Sequence, residues 1–162
     1  MYRLGHYGVA LFVYAPLAFA LVAVGRVDAA VVGAAGVVAL TPLPDYDQRL
    51  PLVSHRGVTH TVGFALLVGG LLGAAGFYVG STPDERLALG AFSAMVGLLA
   101  IGAHLLADVL TPAGVEPFWP LSGRNYSLYV TRADNTLANY LLLALGVATF
   151  TVALVGGQNV PV

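Results

Sequence analysis

Seven side chains in this chain could bind a metal ion, and nearly all of them stand beside long apolar runs. The chain has four histidines, and three of its aspartates lie near them along the sequence. The set is His6, Asp45, Asp47, His55, His60, His104 and Asp108. A polar group at the edge of hydrocarbon is costly unless it is paired or coordinated. The pattern therefore predicts a divalent-metal site, and because the chain has no cysteine its ligands must be nitrogen and oxygen atoms.

His104 and Asp108 are the most specific local pair. Residues four apart on a helix lie on one face with Cβ atoms about 5–6 Å apart, so both side chains can reach one ion. The alternatives are that Asp108 only orients His104, or forms an ion pair with a histidine inside the bundle.

His55 and His60 flank a short entry into the next apolar segment, where Thr59 could cap the helix that His60 opens. Two nearby histidines are weak evidence by themselves. The alternative for His60 is an interfacial residue whose ring reaches the headgroup region.

Asp45 and Asp47 alternate around Tyr46, so an extended backbone would turn their carboxylates apart unless the loop curls around an ion. The alternative is a solvated acidic turn. His6 lies near the start of a predicted transmembrane segment, where a lone histidine is often an interfacial anchor. It is a candidate metal ligand only because it is expected on the same side of the membrane as the other candidates.

The number of candidate ligands bears on the chemistry. One zinc ion takes about three or four protein ligands, so either two ions bind or some of these groups act as a base or orient the ligands. Zinc is the first choice, and a bound ion with an open position would activate water for hydrolysis. We predict a metal-dependent hydrolase with Asp47, His55 and Arg56 as catalytic residues, and His55 or Asp47 as the general base.

Two arginines could bind an anionic substrate. The guanidinium groups of Arg56 and Arg124 offer a planar fork that suits phosphate or carboxylate oxygens. The alternative is that both are topology charges that contact lipid headgroups. Beside a site at the membrane surface, they favour a phosphoester such as a lipid headgroup as the substrate.

The composition is that of a polytopic membrane protein. Hydrophobic residues make up 58% of the chain and charged residues 9%, with a mean hydropathy of +0.83. Spans of about 20 residues use up most of the length, so residues 1–162 are predicted to form one integral membrane domain whose partners are membrane lipids. The net charge of −1 and the absence of like-charge runs argue against binding to nucleic acid.

The apolar segments predict an all-α bundle of about five transmembrane helices, with the metal-site loops on one face. The second segment is short and stops at two prolines, so its crossing is the weakest prediction. Polar or turn-rich loops cover 45–59 and 113–131. The helices are expected at about 5–24, 29–40, 60–79, 86–110 and 135–155.

Topology tests the metal hypothesis. If all five segments cross, helices alternate in direction, and all seven candidate ligands fall on one side of the membrane. If the second segment dips in and returns, His6 is separated from the aspartates by the bilayer. In the spanning arrangement only Arg26 and Arg86 lie on the opposite side, so the positive-inside rule places the N-terminus and the site on the cytoplasmic side of the cell (inner) membrane. The arginines on the site's side are Arg3, Arg49, Arg56, Arg124 and Arg132.

Three ordered blocks carry a family resemblance. They are LPDYD at 43–47, SHRGVTHT at 54–61 and HLLADVLTPAG at 104–114, with Trp119-Pro120 following. Together they resemble the signature of the YdjM-like family of membrane-bound metal-dependent hydrolases. The resemblance implies a small multi-helix membrane hydrolase. By position, its polar residues correspond to Asp45, Asp47, His55, Arg56, His60, His104 and Asp108.

Two other classes of function remain open. The same cluster could bind or relay a divalent ion or proton during transport, although a transporter should carry ionisable groups near mid-membrane and the middles of these spans are apolar. It could also hold a metal that stabilises a scaffold without catalysis.

Overall fold

The computed structural model describes residues 1–49 and 55–160. Residues 50–54, which include Ser54 of the second sequence block, and residues 161–162 lie outside this part. Within it the regular elements are five α-helices and two short 3-10 helices, and the prediction of an all-α bundle is confirmed. The α-helices are α1 (Arg3–Ala23), α2 (Val27–Leu40), α3 (Val62–Val79), α4 (Pro83–Val109) and α5 (Thr136–Gln158). The 3-10 helices are Leu43–Arg49 and Val58–His60.

Local sequence signals explain where the helices begin. The Thr82 hydroxyl accepts from the backbone N–H of Glu85 while the Glu85 carboxylate accepts from Thr82, a capping box that starts α4 three residues before the predicted position 86. The N-cap of α3 is Thr61, whose hydroxyl accepts from Phe64. The expectation that Thr59 caps this helix is therefore wrong, because the chain first makes a 3-10 turn and begins the α-helix after it.

The second segment is long enough to cross a membrane when its 3-10 extension is included. Helix α2 has 14 residues, but the combined segment Val27–Arg49 has 23 and a mean hydropathy of 1.6. In the described part of the chain this segment and the four other α-helices are each long and apolar enough to span a bilayer.

The contacts between helices bring four helix ends together at one end of the bundle. Helix α1 packs against α5, α2 and α4, and α3 packs against α4. Buried side chains of α1, α2 and α4 form the main apolar core, in which Tyr14 donates to the carbonyl of Ala30. The start of α1, the end of α2, the start of α3 and the end of α4 therefore meet at one end of the bundle.

Helix α5 approaches α1 backbone to backbone. A Cβ atom on Gly146 would collide with the backbone of Gly8, and a Cβ on Gly8 would collide with the backbone at Leu142. Small residues allow this approach, which favours helix association in lipid. The close contact holds α5 against α1, the helix that carries His6, while α1 is joined to the rest of the bundle through α2 and α4.

We expect Gly146→Ala to destabilise the protein by about 1–3 kcal/mol, because the added methyl group must push α5 away from α1. The measurement is reversible unfolding in detergent. Gly102→Ala is the matched control, since a Cβ on Gly102 of α4 meets no atom within 4 Å. Equal stability of the two variants would contradict the close packing of α1 and α5.

Candidate metal centre

The structure gathers the predicted ligands at the end of the bundle where four helices meet. His6 lies in the first turns of α1, and His104 with Asp108 lies in the last turns of α4. Asp45 and Asp47 come from the 3-10 helix Leu43–Arg49, and the next 3-10 helix ends with His60. His55 lies beside Asp47. Their functional roles stay predictions.

Four donor atoms from four residues lie close together, and five of the distances between them fall between 3.2 and 3.6 Å. Nε2 of His60 lies 3.2 Å from Nε2 of His104. Oδ1 of Asp45 lies 3.5 Å and 3.6 Å from these two nitrogens. Oδ2 of Asp108 lies 3.6 Å from Nε2 of His60 and 3.5 Å from Nε2 of His104. A tetrahedral ion with bonds of about 2.0–2.2 Å requires donors about 3.3–3.6 Å apart, and these five distances match that spacing for a zinc-sized ion.

Burial makes this arrangement costly without a cation. The side chains of His60, His104 and Asp108 are at most 2% exposed, whereas that of Asp45 is 28% exposed. The fully buried carboxylate of Asp47 adds a further negative charge. Arg56 and the amino group of Met1 are the cationic groups in contact with these three carboxylates within the described residues, so a net negative charge remains that a bound cation would balance.

The second oxygen of Asp108 faces cationic and imidazole groups. Oδ1 accepts from Nη2 of Arg56 at 3.1 Å and from the amino group of Met1 at 3.1 Å. Nε2 of His6 lies 3.5 Å from the same oxygen. The two oxygens of Asp108 thus have separate surroundings, with the four-donor cluster on one side and Arg56 on the other.

His6 is buried and stacked against the cluster. Its ring lies 4.2 Å from the ring of His104, centroid to centroid, with 21° between the planes. Nδ1 lies 3.2 Å from the carbonyl oxygen of Tyr2, which can only accept, so Nδ1 carries the proton. Nε2 has no hydrogen-bond partner among the described residues and lies 3.5 Å from Oδ1 of Asp108; in the neutral ring it carries a free lone pair.

Asp47 curls toward the site rather than into solvent, because residues 43–49 form a 3-10 helix and not an extended strand. Its Oδ1 lies 3.0 Å from Nδ1 of His55. Its Oδ2 accepts from the Thr59 hydroxyl at 2.9 Å and from the backbone N–H of Arg56 at 3.1 Å. Nδ1 of His60 lies 3.4 Å from the same oxygen. Both oxygens of Asp47 therefore already have hydrogen-bond partners.

The two predicted anion-binding arginines occupy different surroundings. Arg56 donates from Nη1 to the carbonyl of Gly114 at 2.8 Å and from Nη2 to Asp108, and its backbone has φ of 63°. The left-handed conformation of a residue with a side chain is unusual, and here it directs the N–H toward Asp47. Arg124 is exposed, and its guanidinium lies 5.2 Å from the ring centre of Tyr126. Among described residues, no contact joins Arg124 to the four-donor cluster.

Sequence reasoning did not identify two partners of the site. Thr59 links Asp47 to the ring of His60, lying 3.0 Å from Nδ1. The carbonyl of Gly114 holds Arg56, and Gly114 has φ of 60°. Thr59 and Gly114 each lie in one of the three sequence blocks that resemble the family, and this was the only indication of their importance. A sequence block does not show which atoms are in contact.

Fold and cluster together define a class of protein: a small all-helical integral membrane protein whose buried His and Asp side chains could hold a metal ion. The chain belongs to the YdjM inner membrane protein family, whose model matches residues 1–160. The resemblance seen in the three sequence blocks is confirmed.

Two curated relatives show the extent of the similarity. The chain is 36% identical over 119 residues to inner membrane protein YdjM of Escherichia coli (strain K12), and equally to that of Shigella flexneri. The match covers 64% of this chain and 57% of each relative, so the chain spans somewhat over half the length of the curated relatives it matches. No solved structure matches the chain.

Proposed function

We propose that this protein is a membrane-embedded metal-dependent hydrolase that cleaves a phosphoester, such as a lipid headgroup, at the cytoplasmic membrane surface. One observation carries the proposal: the donor nitrogens of His60 and His104 lie 3.2 Å apart, and one carboxylate oxygen of Asp45 and one of Asp108 each lie 3.5–3.6 Å from both. When bound there, a divalent ion would lower the pKa of a water molecule and polarise the bond to be broken.

The surroundings of Asp108 favour one ion over two. A second ion would need the lone pairs of Oδ1, but the Arg56 guanidinium already donates to this oxygen at 3.1 Å. Two cations so close together would repel each other in a buried site. Among divalent ions, zinc accepts a mixed set of imidazole and carboxylate donors in tetrahedral geometry.

The remaining residues have distinct proposed roles. His55 is the general base: Asp47 accepts from its Nδ1–H, which leaves Nε2 free to take a proton from water. Its ligand atom lies within 4.8 Å of those of Asp45 and His60, which places the base beside the donor cluster. Arg56 holds Asp108 in place, so its main role is to position a ligand.

Asp45 marks the side from which substrate would approach. It is the most exposed of the four donors, with 28% of its side chain accessible, and the neighbouring His55 side chain is 43% exposed. We propose Arg124 for binding the substrate anion, since Arg56 is engaged with Asp108 whereas Arg124 has no carboxylate partner among the described residues. The positive-inside rule supports the cytoplasmic orientation of this end of the bundle.

A second candidate is a metal-stabilised scaffold without catalysis. It is supported by the number of donors, because four protein ligands are typical of closed structural zinc sites, whereas catalytic sites keep one position open. The exposure of Asp45 favours the hydrolase, since a zinc site can open or expand to five ligands on its solvent side.

Transport is less well supported. In the sequence of the five α-helices the central turns carry no Asp, Glu, Lys, Arg or His, so the bundle offers no ionisable path through the bilayer. Metal uptake into proteoliposomes that is abolished by His104→Ala would favour transport over hydrolysis.

We expect the purified protein to contain one equivalent of divalent metal and to hydrolyse at least one member of a panel of phospholipids and nucleotide phosphoesters. Metal content is measured by inductively coupled plasma mass spectrometry, and hydrolysis by phosphate or headgroup release before and after treatment with a chelator. Stoichiometric metal without hydrolysis across the panel would favour the scaffold, and two equivalents would contradict the single-ion arrangement.

A further inference from the structure

The Thr59 hydroxyl lies between a buried carboxylate and a ring nitrogen of a donor histidine. Its Oγ1 is 2.9 Å from Oδ2 of Asp47 and 3.0 Å from Nδ1 of His60. The side chains of Asp47 and His60 are both 0% exposed, so water does not compete for these contacts. Thr59 and His60 belong to the same 3-10 turn, Val58–His60, which holds the hydroxyl beside the ring.

The direction of each hydrogen bond follows from the number of protons available. A hydroxyl has one proton to donate, and an ionised carboxylate can only accept. Thr59 therefore donates to Asp47, and toward His60 its oxygen is an acceptor. The proton of the His60 ring must then lie on Nδ1, which leaves Nε2 with a free lone pair directed at His104, Asp45 and Asp108.

We propose that Thr59 is a positioning residue that fixes the Nδ1–H tautomer of His60 and so prepares Nε2 to bind metal. The inference rests on the proposed metal site, but it concerns a residue with no previous role in it. Partners that orient a ligating histidine typically contribute about 10–100-fold to metal affinity.

The same carboxylate orients a second histidine. Oδ1 of Asp47 faces Nδ1 of His55, while Oδ2 receives Thr59 and the backbone N–H of Arg56. One buried carboxylate thus faces Nδ1 of His55 at 3.0 Å, and Nδ1 of His60 at 3.4 Å, while the shorter contact of the His60 Nδ1, at 3.0 Å, is with Thr59. The geometry links the proposed base to a proposed metal ligand.

Thr59→Val tests the proposal, because it replaces the hydroxyl with a methyl group of similar size. Measured by competition with a zinc-binding chelator dye, the dissociation constant of the full chain in detergent for Zn²⁺ should rise about 10–100-fold. Thr59→Ser, which keeps the hydroxyl, should bind Zn²⁺ about as well as the unmodified protein. Thr149→Val is the matched control, since the Thr149 hydroxyl donates to Leu145 in the membrane-spanning α5.

A second measurement reads the tautomer itself. In ¹⁵N NMR spectra of metal-free, histidine-labelled protein, His60 should show the Nδ1–H form, and Thr59→Val should mix or reverse the two forms. An unchanged tautomer, or equal Zn²⁺ affinity in the valine and unmodified proteins, would overturn the proposal, as would a serine variant as weak as the valine variant. If the unmodified protein binds no metal, the proposed function fails, while the tautomer measurement still decides the role of Thr59.

Discussion

Replacing Asp108 with Asn is expected to leave the purified protein without stoichiometric metal and without phosphoesterase activity. Oδ2 of Asp108 lies 3.5–3.6 Å from the donor nitrogens of His60 and His104, so the substitution replaces one of the four donors, an anionic carboxylate, with a neutral amide. The loss in affinity should exceed the roughly 10–100-fold cost of removing a partner that only orients a ligand. Metal content and the Zn²⁺ dissociation constant measure it.

The substitution has a second effect that must be separated from the first. A neutral amide at this position would leave Arg56 without the carboxylate that now lies 3.1 Å from Nη2 in a partly buried position. Losing one partner of such a pair is destabilising. The double variant Asp108→Asn/Arg56→Met removes one of the two cations that lose this carboxylate, the other being the amino group of Met1, so it should recover part of the stability but not metal. Asp134→Asn, at an exposed carboxylate paired with Arg132, is the control for loss of an acidic side chain. Full metal content in Asp108→Asn would contradict the metal centre.

The fold could be predicted from the sequence because hydrophobicity and length determine which segments can span a membrane. The five apolar segments correspond to five helices, and their alternating direction predicts that His6, residues 45–49 and 55–59, and the end of α4 lie at one end of the bundle, where the structure has them. The short second segment was the uncertain case. Its extension as a 3-10 helix could not be read from hydropathy, since the two prolines ended the apolar pattern before the polar residues of the turn.

The site could be predicted as a set of residues but not as a set of contacts. Spacing placed His104 and Asp108 on one face of a helix, since helical geometry is local. In the structure one oxygen of Asp108 faces the four-donor cluster and the other faces Arg56. The second contact joins residues that are 52 positions apart in sequence. The inward turn of Asp47 depends likewise on side chains that arrive from the next 3-10 helix. Such contacts are fixed by the packed structure and leave no periodic signal.

Replacing His55 with Ala is expected to lower kcat by about 10²–10⁴, the usual contribution of a general base, while the metal content stays at the level of the unmodified protein. The reason is geometric: Asp47 fixes Nδ1 of His55, so the free Nε2 can accept a proton, and four other side chains supply the donors. Steady-state hydrolysis and metal analysis on the same preparation measure both quantities. Val58→Ala, at an exposed side chain on the neighbouring turn, is the control.

The exposure of His55 allows a direct test by chemical rescue. Its side chain is 43% accessible, so free imidazole can enter the space left by the alanine variant and restore part of the lost rate. Rescue would identify a missing proton acceptor, which no change in folding could imitate. Loss of metal in His55→Ala would instead indicate that His55 is a metal ligand. The structure allows this outcome, since one ring nitrogen of His55 lies within 4.8 Å of a ligand atom of Asp45 and of His60. Unchanged kcat with unchanged metal would transfer the role of base to another group, with Asp47 as the alternative.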